Sequence, residues 1–392
     1  MSDFKYVIVG GGMAADSAVN GIRENDGSGS IAVFSEEKDM PYNRPPLSKG
    51  LWKGEQLDSI WRNTEKQKVD FFSGTRMKSI DRTGKSVTAG DGKSYSYEKL
   101  LLATGGTPRR FPTGGEGVIY YRTVDDYRKL RVLADSVSNF AVIGGGFIGS
   151  EIAAALAMSG KNVTLIIPEN GIGTRVYPKG LSAFLLNYFS EKGIKVQPGE
   201  HVLSVGKSDS GYTIETKSGE KFTADAVVAG LGITPNDVLA KASGLAVDNG
   251  IIVDAFLRTT DHSIYAAGDV ANFYNRSLDI RMRVEHEDNA NTMGKLAGKN
   301  MSGTPEPYDH LPFFYSDLFD LGYEAVGEFD PSGEVVEDWV DGYRKGVVYY
   351  LKESHVTGVI LWNTWGKVDD ARKVITSKKK YTSSSLKGLI TD

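Results

Sequence analysis

Two glycine-rich stretches carry residue types suited to holding phosphate. Lys5-Tyr6-Val7-Ile8-Val9 is a β-branched apolar run that opens into Gly10-Gly11-Gly12-Met13-Ala14-Ala15. Phe140-Ala141-Val142-Ile143 opens in the same way into Gly144-Gly145-Gly146-Phe147-Ile148-Gly149. A strand, a tight turn and a helix in that order aim the first helical amides at an anion. Gly10 and Gly144 make the turn, Gly12 and Gly146 let the backbone touch a pyrophosphate, and Ala15 and Gly149 let helix pack on strand. Ala14 and Ile148 complete the two first turns. Each helix is followed by a second apolar run, 31–34 and 163–167, closing on Glu36 and Glu169. These acids lie roughly 25 residues beyond the first glycine, placed to accept a ribose hydroxyl. Either motif alone is weak evidence, because glycine turns between strand and helix occur in many doubly wound proteins; both in one chain read as two dinucleotide sites. Glu169 would repel a 2′-phosphate, which favours NADH at the second site, while Arg175 nearby leaves NADPH open.

Positioning these turns requires two doubly wound units. Gly90-Asp91-Gly92 between 86–88 and 94–97 signals a hairpin, and 99–106 reads as a separate buried strand ending in a glycine turn. A near copy follows: 213–215, a turn at Gly219, then Asp225 to Gly232. Residues 263–267 form another buried strand, ending in Gly268-Asp269. From Thr304-Pro305-Glu306-Pro307 onward, aromatic-rich alternating runs such as 346–351 and 358–362 indicate an antiparallel sheet.

Composition narrows the chemistry. Lysine and arginine number 46 against 50 acids, a net charge of −4, which argues against a nucleic-acid or anionic-membrane binder. The 46 glycines are about 12% of 392 residues, against about 7% in average proteins. There is no cysteine, so structural disulfides, thiolate metal sites, thiol nucleophiles and redox-active disulfides are excluded. His286-Glu287 lacks a second histidine at zinc spacing, and His201, His262, His310 and His355 are scattered; no metal site is expected. No apolar run is long enough for a membrane span, and strand pattern begins by Phe4, leaving no room for a leader. A cytoplasmic protein is expected.

With both fingerprints, Ala103-Thr104-Gly105 and Ala267-Gly268-Asp269 in order, the chain resembles FAD/NAD(P)H-dependent flavoproteins. Within that group it is most similar to apoptosis-inducing factor and to bacterial ferredoxin/rubredoxin reductase-like flavoproteins. The likeness spans about 4–376. It rests on Pro41-Tyr42-Asn43-Arg44-Pro45-Pro46-Leu47-Ser48-Lys49, Thr107-Pro108-Arg109, Val284-Glu285-His286, Gly294-Lys295-Leu296-Ala297-Gly298, Tyr315-Ser316-Asp317-Leu318 and Gly322-Tyr323-Glu324-Ala325. Residues 345–363 resemble apoptosis-inducing factor in particular, although the long C-terminal insertion of the animal factors is absent. The implied fold is α/β: two Rossmann-like domains, the NAD domain inserted in the FAD domain, plus a C-terminal α+β domain. Expected boundaries are 1–123 with 247–303 for FAD, 124–246 for NAD(H), and 304–392 for the third, interface-like domain.

The resemblance also implies residue roles. Glu36 would take the FAD ribose, with Arg44 and Arg109 on pyrophosphate oxygens or a flavin carbonyl and Ala103, Thr104, Gly105 and Gly268 lining the cofactor. Asp269 would bond the ribityl chain; a helix cap over 270–273 is its alternative. Lys49 and Glu151 would meet beside flavin N5, and Phe147 would lie against the nicotinamide near Gly232. Glu285 and His286 would border the flavin. Tyr315 stands where the family commonly has tryptophan. Trp362, with Phe313, Phe314 and Trp365, would be third-domain core or cover the flavin. Lys378-Lys379-Lys380 followed by Tyr381-Thr382-Ser383-Ser384-Ser385 reads as a solvated, partly mobile tail, with docking of an acidic electron carrier as the alternative. The expected function is an NADH oxidoreductase delivering electrons to an external ferredoxin, rubredoxin, quinone or dioxygen. The competing expectation is a slow NADH sensor whose charge-transfer complex controls homodimerisation or partner binding.

Overall fold

Tyr6, Val7, Ile8 and Val9 are all buried, as a strand covered on both faces requires. In the computed structural model, which describes residues 2–391, this run is β1 (Ser2–Val9), leading into α1 (Met13–Asn25) and β2 (Ile31–Phe34). β2 lies parallel to β1, and β3 (Asp70–Phe72) lies parallel to β2. β4 (Met77–Asp81), β5 (Ser86–Ala89) and β6 (Ser94–Leu102) form an antiparallel meander. The arm 94–97 and the buried run 99–102, read separately from sequence, are one strand. One edge of β6 follows β1 along its length, while the other carries β5 first and the parallel strand Ile264–Ala266 afterwards.

These elements belong to a unit made of Met1–Arg44, Leu57–Thr107 and Thr234–Pro312. Its tightest crossing sets α1 against the helix Glu287–Ser302. A β-carbon on Gly294 would strike the Ala14 carbonyl, one on Gly298 the Ala18 carbonyl, and one on Gly21 the Lys295 carbonyl. Glycine is required because backbone faces backbone. Gly268–Val270 is a single 3-10 turn, followed by the strand Ala271–Asn275. The alternative reading of Asp269 as cap of a helix over 270–273 is therefore overturned: Phe273 and its neighbours pair with Ile280–Met282 on one side and Ile251–Ile252 on the other.

The other unit contains Pro45–Gln56, Pro108–Ile233 and Phe313–Asp392. Its parallel sheet runs in the order Lys195–Pro198, Asn162–Ile167, Asn139–Ile143, Ala226–Ala229, Ile119–Tyr120. The helix Phe147–Met158 follows the central strand, as α1 follows β1. An antiparallel five-stranded sheet runs Phe313–Leu318, Leu321–Gly327, His355–Trp362, Lys345–Lys352, Glu334–Asp341. The tail is solvated as expected, but it is tied down rather than mobile. Lys378, Lys379 and Lys380 are exposed, but Lys380 bridges His355 and Tyr381 N donates to the Ser354 carbonyl at 2.8 Å. Leu386 and Ile390 are buried, and Gly388 N donates to Asp338 Oδ2 at 2.7 Å. Two apolar residues four apart supply the anchoring face that the lysine run obscures. Among the described residues no helix is long and apolar enough to cross a membrane.

Gly298→Ala should cost about 1–3 kcal/mol of stability by urea unfolding, because neither backbone can retreat. Gly27→Ala, with nothing within 4 Å of its β-carbon position, should stay within about 0.5 kcal/mol of the parent.

Candidate functional site

The two glycine turns repeat the same geometry. Gly10 and Gly144 have φ of 125° and 111°, a region closed to other residues without strain. Gly10 N donates to the Phe34 carbonyl at 2.8 Å and Gly144 N to the Ile166 carbonyl at 2.9 Å. A β-carbon would strike the Ala103 carbonyl at Gly10, the Gly230 carbonyl at Gly144, and the Gly144 carbonyl at Gly149. Gly12 and Gly146 are the helix N-caps, extended and without a side-chain cap. The first-turn amides, including those of Ala14, Ala15 and Ile148, thus have no intrahelical acceptor. At Gly146 and Gly232 nothing lies within 4 Å of a β-carbon, and at Gly12 the nearest atom is Arg44 Nη2 at 3.9 Å. Open helix ends beside free space meet the steric and electrostatic demands of a pyrophosphate.

In the first unit, Glu36 is exposed and bridges Arg76 at 3.2 Å. Its neighbour Glu37, which sequence reasoning passed over, holds Arg44 together with Tyr42. Burial pulls the Arg44 guanidinium downward, but Tyr42, Glu37 and Asp269 more than offset it and leave it raised. Asp269 is thus in the electrostatic field of Arg44. Asn236 locks the Ala103–Gly105 turn: Thr104 Oγ1 donates to its carbonyl at 2.7 Å, its Nδ2 donates to the Thr104 carbonyl at 2.9 Å, and its N donates to the Gly105 carbonyl at 2.9 Å. Gly268, at φ 76°, abuts Ala14. Glu285 pairs with Arg283 at 2.6 Å, and His286 is the N-cap residue of the helix Glu287–Ser302. Among the described residues no cluster of histidine and acids could hold a metal.

In the second unit, Glu169 meets Arg175 at 3.4 Å, with the Arg175 side chain 85% exposed. Arg109 is exposed and its N donates to the Gly232 carbonyl at 2.9 Å. The Phe147 and Phe314 rings lie 5.1 Å apart. Trp362 is fully buried and stacks on Tyr323 at 5.4 Å, and its Nε1 is buried without a hydrogen-bond partner. Trp365, grouped with it from sequence, is half exposed at 49%.

Lys49 and Glu151, 102 positions apart, meet: Lys49 Nζ lies 2.7 Å from Glu151 Oε2. Glu151 is 2% exposed. Ser48 Oγ donates to Oε2 at 2.6 Å and Ser316 Oγ to Oε1 at 2.6 Å. These serines were missed, although each adjoins a nominated residue, Lys49 or Tyr315. Lys49 Nζ also stands 5.2 Å from the Tyr315 ring centroid, a cation–π contact. The loop is held by backbone anchors. Trp52 Nε1 and Tyr121 OH donate to the Leu47 carbonyl, and Trp52 packs edge-on against Tyr127 at 5.9 Å. Arg131 covers Trp52 at 4.8 Å.

Residues 4–294 match the family model described as pyridine nucleotide-disulphide oxidoreductase. Residues 334–377 match the C-terminal model of mitochondrion-associated apoptosis-inducing factor. The chain is 35% identical to apoptosis-inducing factor 1, mitochondrial, of Dictyostelium discoideum, covering 97% of this chain and 79% of the relative. It is 37% identical to the ferredoxin–NAD(+) reductase component of the anthranilate 1,2-dioxygenase system of Burkholderia cepacia, covering 84% and 83%. The solved covalent putidaredoxin reductase–putidaredoxin complex contains a chain superposing with a TM-score of 0.90 at 28% identity, over 98% of this chain and 95% of that one.

Burial holds the Tyr177 and Tyr323 phenols above their ordinary value of 10.0. A raised phenol contributes stability that is complete below pH 10 and is lost as pH rises past it, since only the unfolded chain ionises readily there. The urea midpoint should therefore fall steadily above pH 10, with phenolate absorbance from these residues appearing together with unfolding.

Proposed function

The chain belongs to the pyridine nucleotide-disulphide oxidoreductase family and is an oxidoreductase, and from that premise we propose that it is an FAD-dependent NADH oxidoreductase serving an external electron carrier. The observation that carries this reading is the duplicated glycine turn in a chain without cysteine. Two open helix ends fit two dinucleotides, and the disulphide of the family description has no counterpart in these residues. FAD, when bound, supplies the group that takes hydride from NADH and releases the electrons onward.

The residues divide the remaining work. Amides after Gly12 and Gly146 hold the pyrophosphates, with Arg44 adding a guanidinium to the first. Glu36 and Glu169 accept ribose hydroxyls, and Glu169 opposes a 2′-phosphate. Asp269 bonds the ribityl chain, and Asn236 keeps the Ala103–Gly105 turn in shape. Phe147 and Tyr315 offer aromatic faces to the nicotinamide and to Lys49. Lys49, fixed by Glu151, supplies positive charge for the reduced flavin. Ferredoxin-reductase relatives and the putidaredoxin complex support a small electron-transfer protein as acceptor. A second reading, a slow NADH-responsive protein of apoptosis-inducing-factor type, is favoured by the match at 334–377.

Anaerobic mixing with NADH should bleach the flavin rapidly, and a ferredoxin-type carrier or quinone should restore its colour. Slow reoxidation in air, a persistent long-wavelength band and an NADH-dependent change in mass would support the second reading instead. Lys49→Ala should slow flavin reduction at least roughly tenfold while FAD stays bound; an unchanged rate removes its assigned role. Glu169→Ala should raise the Kd for NADH and narrow the preference over NADPH, measured by titration of both nucleotides.

A further inference from the structure

One guanidinium in the first unit ties together two elements to which the proposed chemistry gives separate tasks. Arg62 donates from each of its three nitrogens to a different partner: Nε to Asp16 Oδ2 at 2.6 Å, Nη1 to Asn43 Oδ1 at 2.8 Å and Nη2 to Ser17 Oγ at 3.1 Å. Asp16 and Ser17 belong to α1, about one turn beyond its Gly12 cap. Asn43 belongs to the loop 41–44, which carries Arg44.

Apart from one antiparallel bridge between Tyr42 and Trp61, this loop has no regular structure, so its place is set by what holds it. Asn43 N donates to the Ile60 carbonyl at 2.9 Å and Arg62 N to the Pro41 carbonyl at 3.0 Å, while the Tyr42 and Trp61 rings meet edge-on at 5.9 Å. Residues 60–62 are in turn anchored on α1. Asn63 has φ 57°, a left-handed conformation that asparagine adopts more readily than most residues. Its neighbours on both sides reach the same acid, for Thr64 Oγ1 donates to Asp16 Oδ1 at 2.6 Å. Asp16 is 3% exposed and has a donor on each oxygen; losing either would leave buried charge undercompensated, which fixes the arrangement. At the other end of the loop, Arg44 Nη1 donates to Tyr42 OH at 3.1 Å, and Nη2 stands 3.9 Å from where a Gly12 β-carbon would lie. The amides of α1 and the Arg44 guanidinium are thus held at one separation by side chains to which the proposed chemistry gives no task.

We propose that Asp16, Arg62 and Asn43 are positioning residues that register Arg44 against the first turn of α1, so that guanidinium and amides meet one pyrophosphate together. They act through the loop and Arg44. The planar fork of arginine is required: a lysine could keep its charge opposite Asp16 but could not hold Asn43 and Ser17 in fixed directions as well. The inference rests on the assignment of Arg44 to the FAD pyrophosphate given above.

Release of FAD from the full-length, flavin-loaded protein, followed as rising flavin fluorescence after dilution, tests this through double-mutant cycles. Asn43→Ala and Arg62→Lys should each speed release roughly three- to tenfold, as loss of one hydrogen bond would, with half-saturating NADH unchanged. In an Arg44→Met background each effect should shrink below about twofold, because the loop then has no guanidinium to place. Equal factors in both backgrounds would overturn the proposal, since the residues would then support FAD by a route other than Arg44. Asn43→Ala leaves the Asp16–Arg62 pair intact, so its cycle decides the matter should Arg62→Lys fail to fold. Release unchanged by Arg44→Met alone would overturn the pyrophosphate assignment and the positioning role with it. Faster release from Arg44→Met, with additive effects of the other two variants, would overturn the positioning role alone.

Discussion

A carboxylate withdrawn from water must be compensated or it does not persist. Glu151, at 2% exposure, receives Lys49, Ser48 and Ser316, and much of the second unit is arranged around that demand. The helix Phe147–Met158 must start at a glycine turn to place Glu151 one turn in. The segment Pro45–Gln56 must pack with residues remote from it in sequence, which is why its short 3-10 turns, Pro45–Ser48 and Gly50–Trp52, are bolted by Trp52, Tyr121 and Tyr127. The strand that presents Ser316 must be in register with the neighbouring strand Leu321–Gly327. An error in any of these leaves a charge stranded, so the pair specifies the arrangement even where it adds little net stability.

The first unit answers a different constraint, that of close approach. Its glycine turn sits against the Ala103 carbonyl, and α1 meets the helix Glu287–Ser302 through Gly21, Gly294 and Gly298. The glycine excess has a physical location here. These residues sit where backbone approaches backbone. The match in hydrogen bonding at Gly10 and Gly144 shows the same solution used twice in one chain.

Much of this was legible because it depends on short patterns. Strand, glycine turn and helix are local, so both cradles, the hairpin at Gly90–Gly92 and the closing strands could be read from spacing. What escaped depended on distant pairing. Nothing in the sequence marks Asn236 as the clamp of Thr104, or Glu37 rather than Glu36 as the partner of Arg44. β6 looked like two elements because its partners change along one edge while β1 stays on the other. The tail misled because charge at 378–380 dominates the pattern, whereas Leu386 and Ile390 decide its placement. Lys49 and Glu151 could be paired only by family likeness; the serines that hold Glu151 required coordinates.

The first unit's three-segment construction has a consequence for synthesis. β6 is translated long before Ile264–Ala266, which completes its outer edge. At ribosomal rates of about 5–20 residues per second, roughly 160 residues intervene, a delay on the order of ten seconds. During that interval the glycine face of α1 also lacks its covering helix. The nascent chain therefore carries an unpaired strand edge and a bare helix groove while the whole of 108–233 emerges and folds. Holding that half-built sheet apart from its neighbours on a polysome is a demand imposed by the chain order, in which residues 108–233 come between two segments of the first unit.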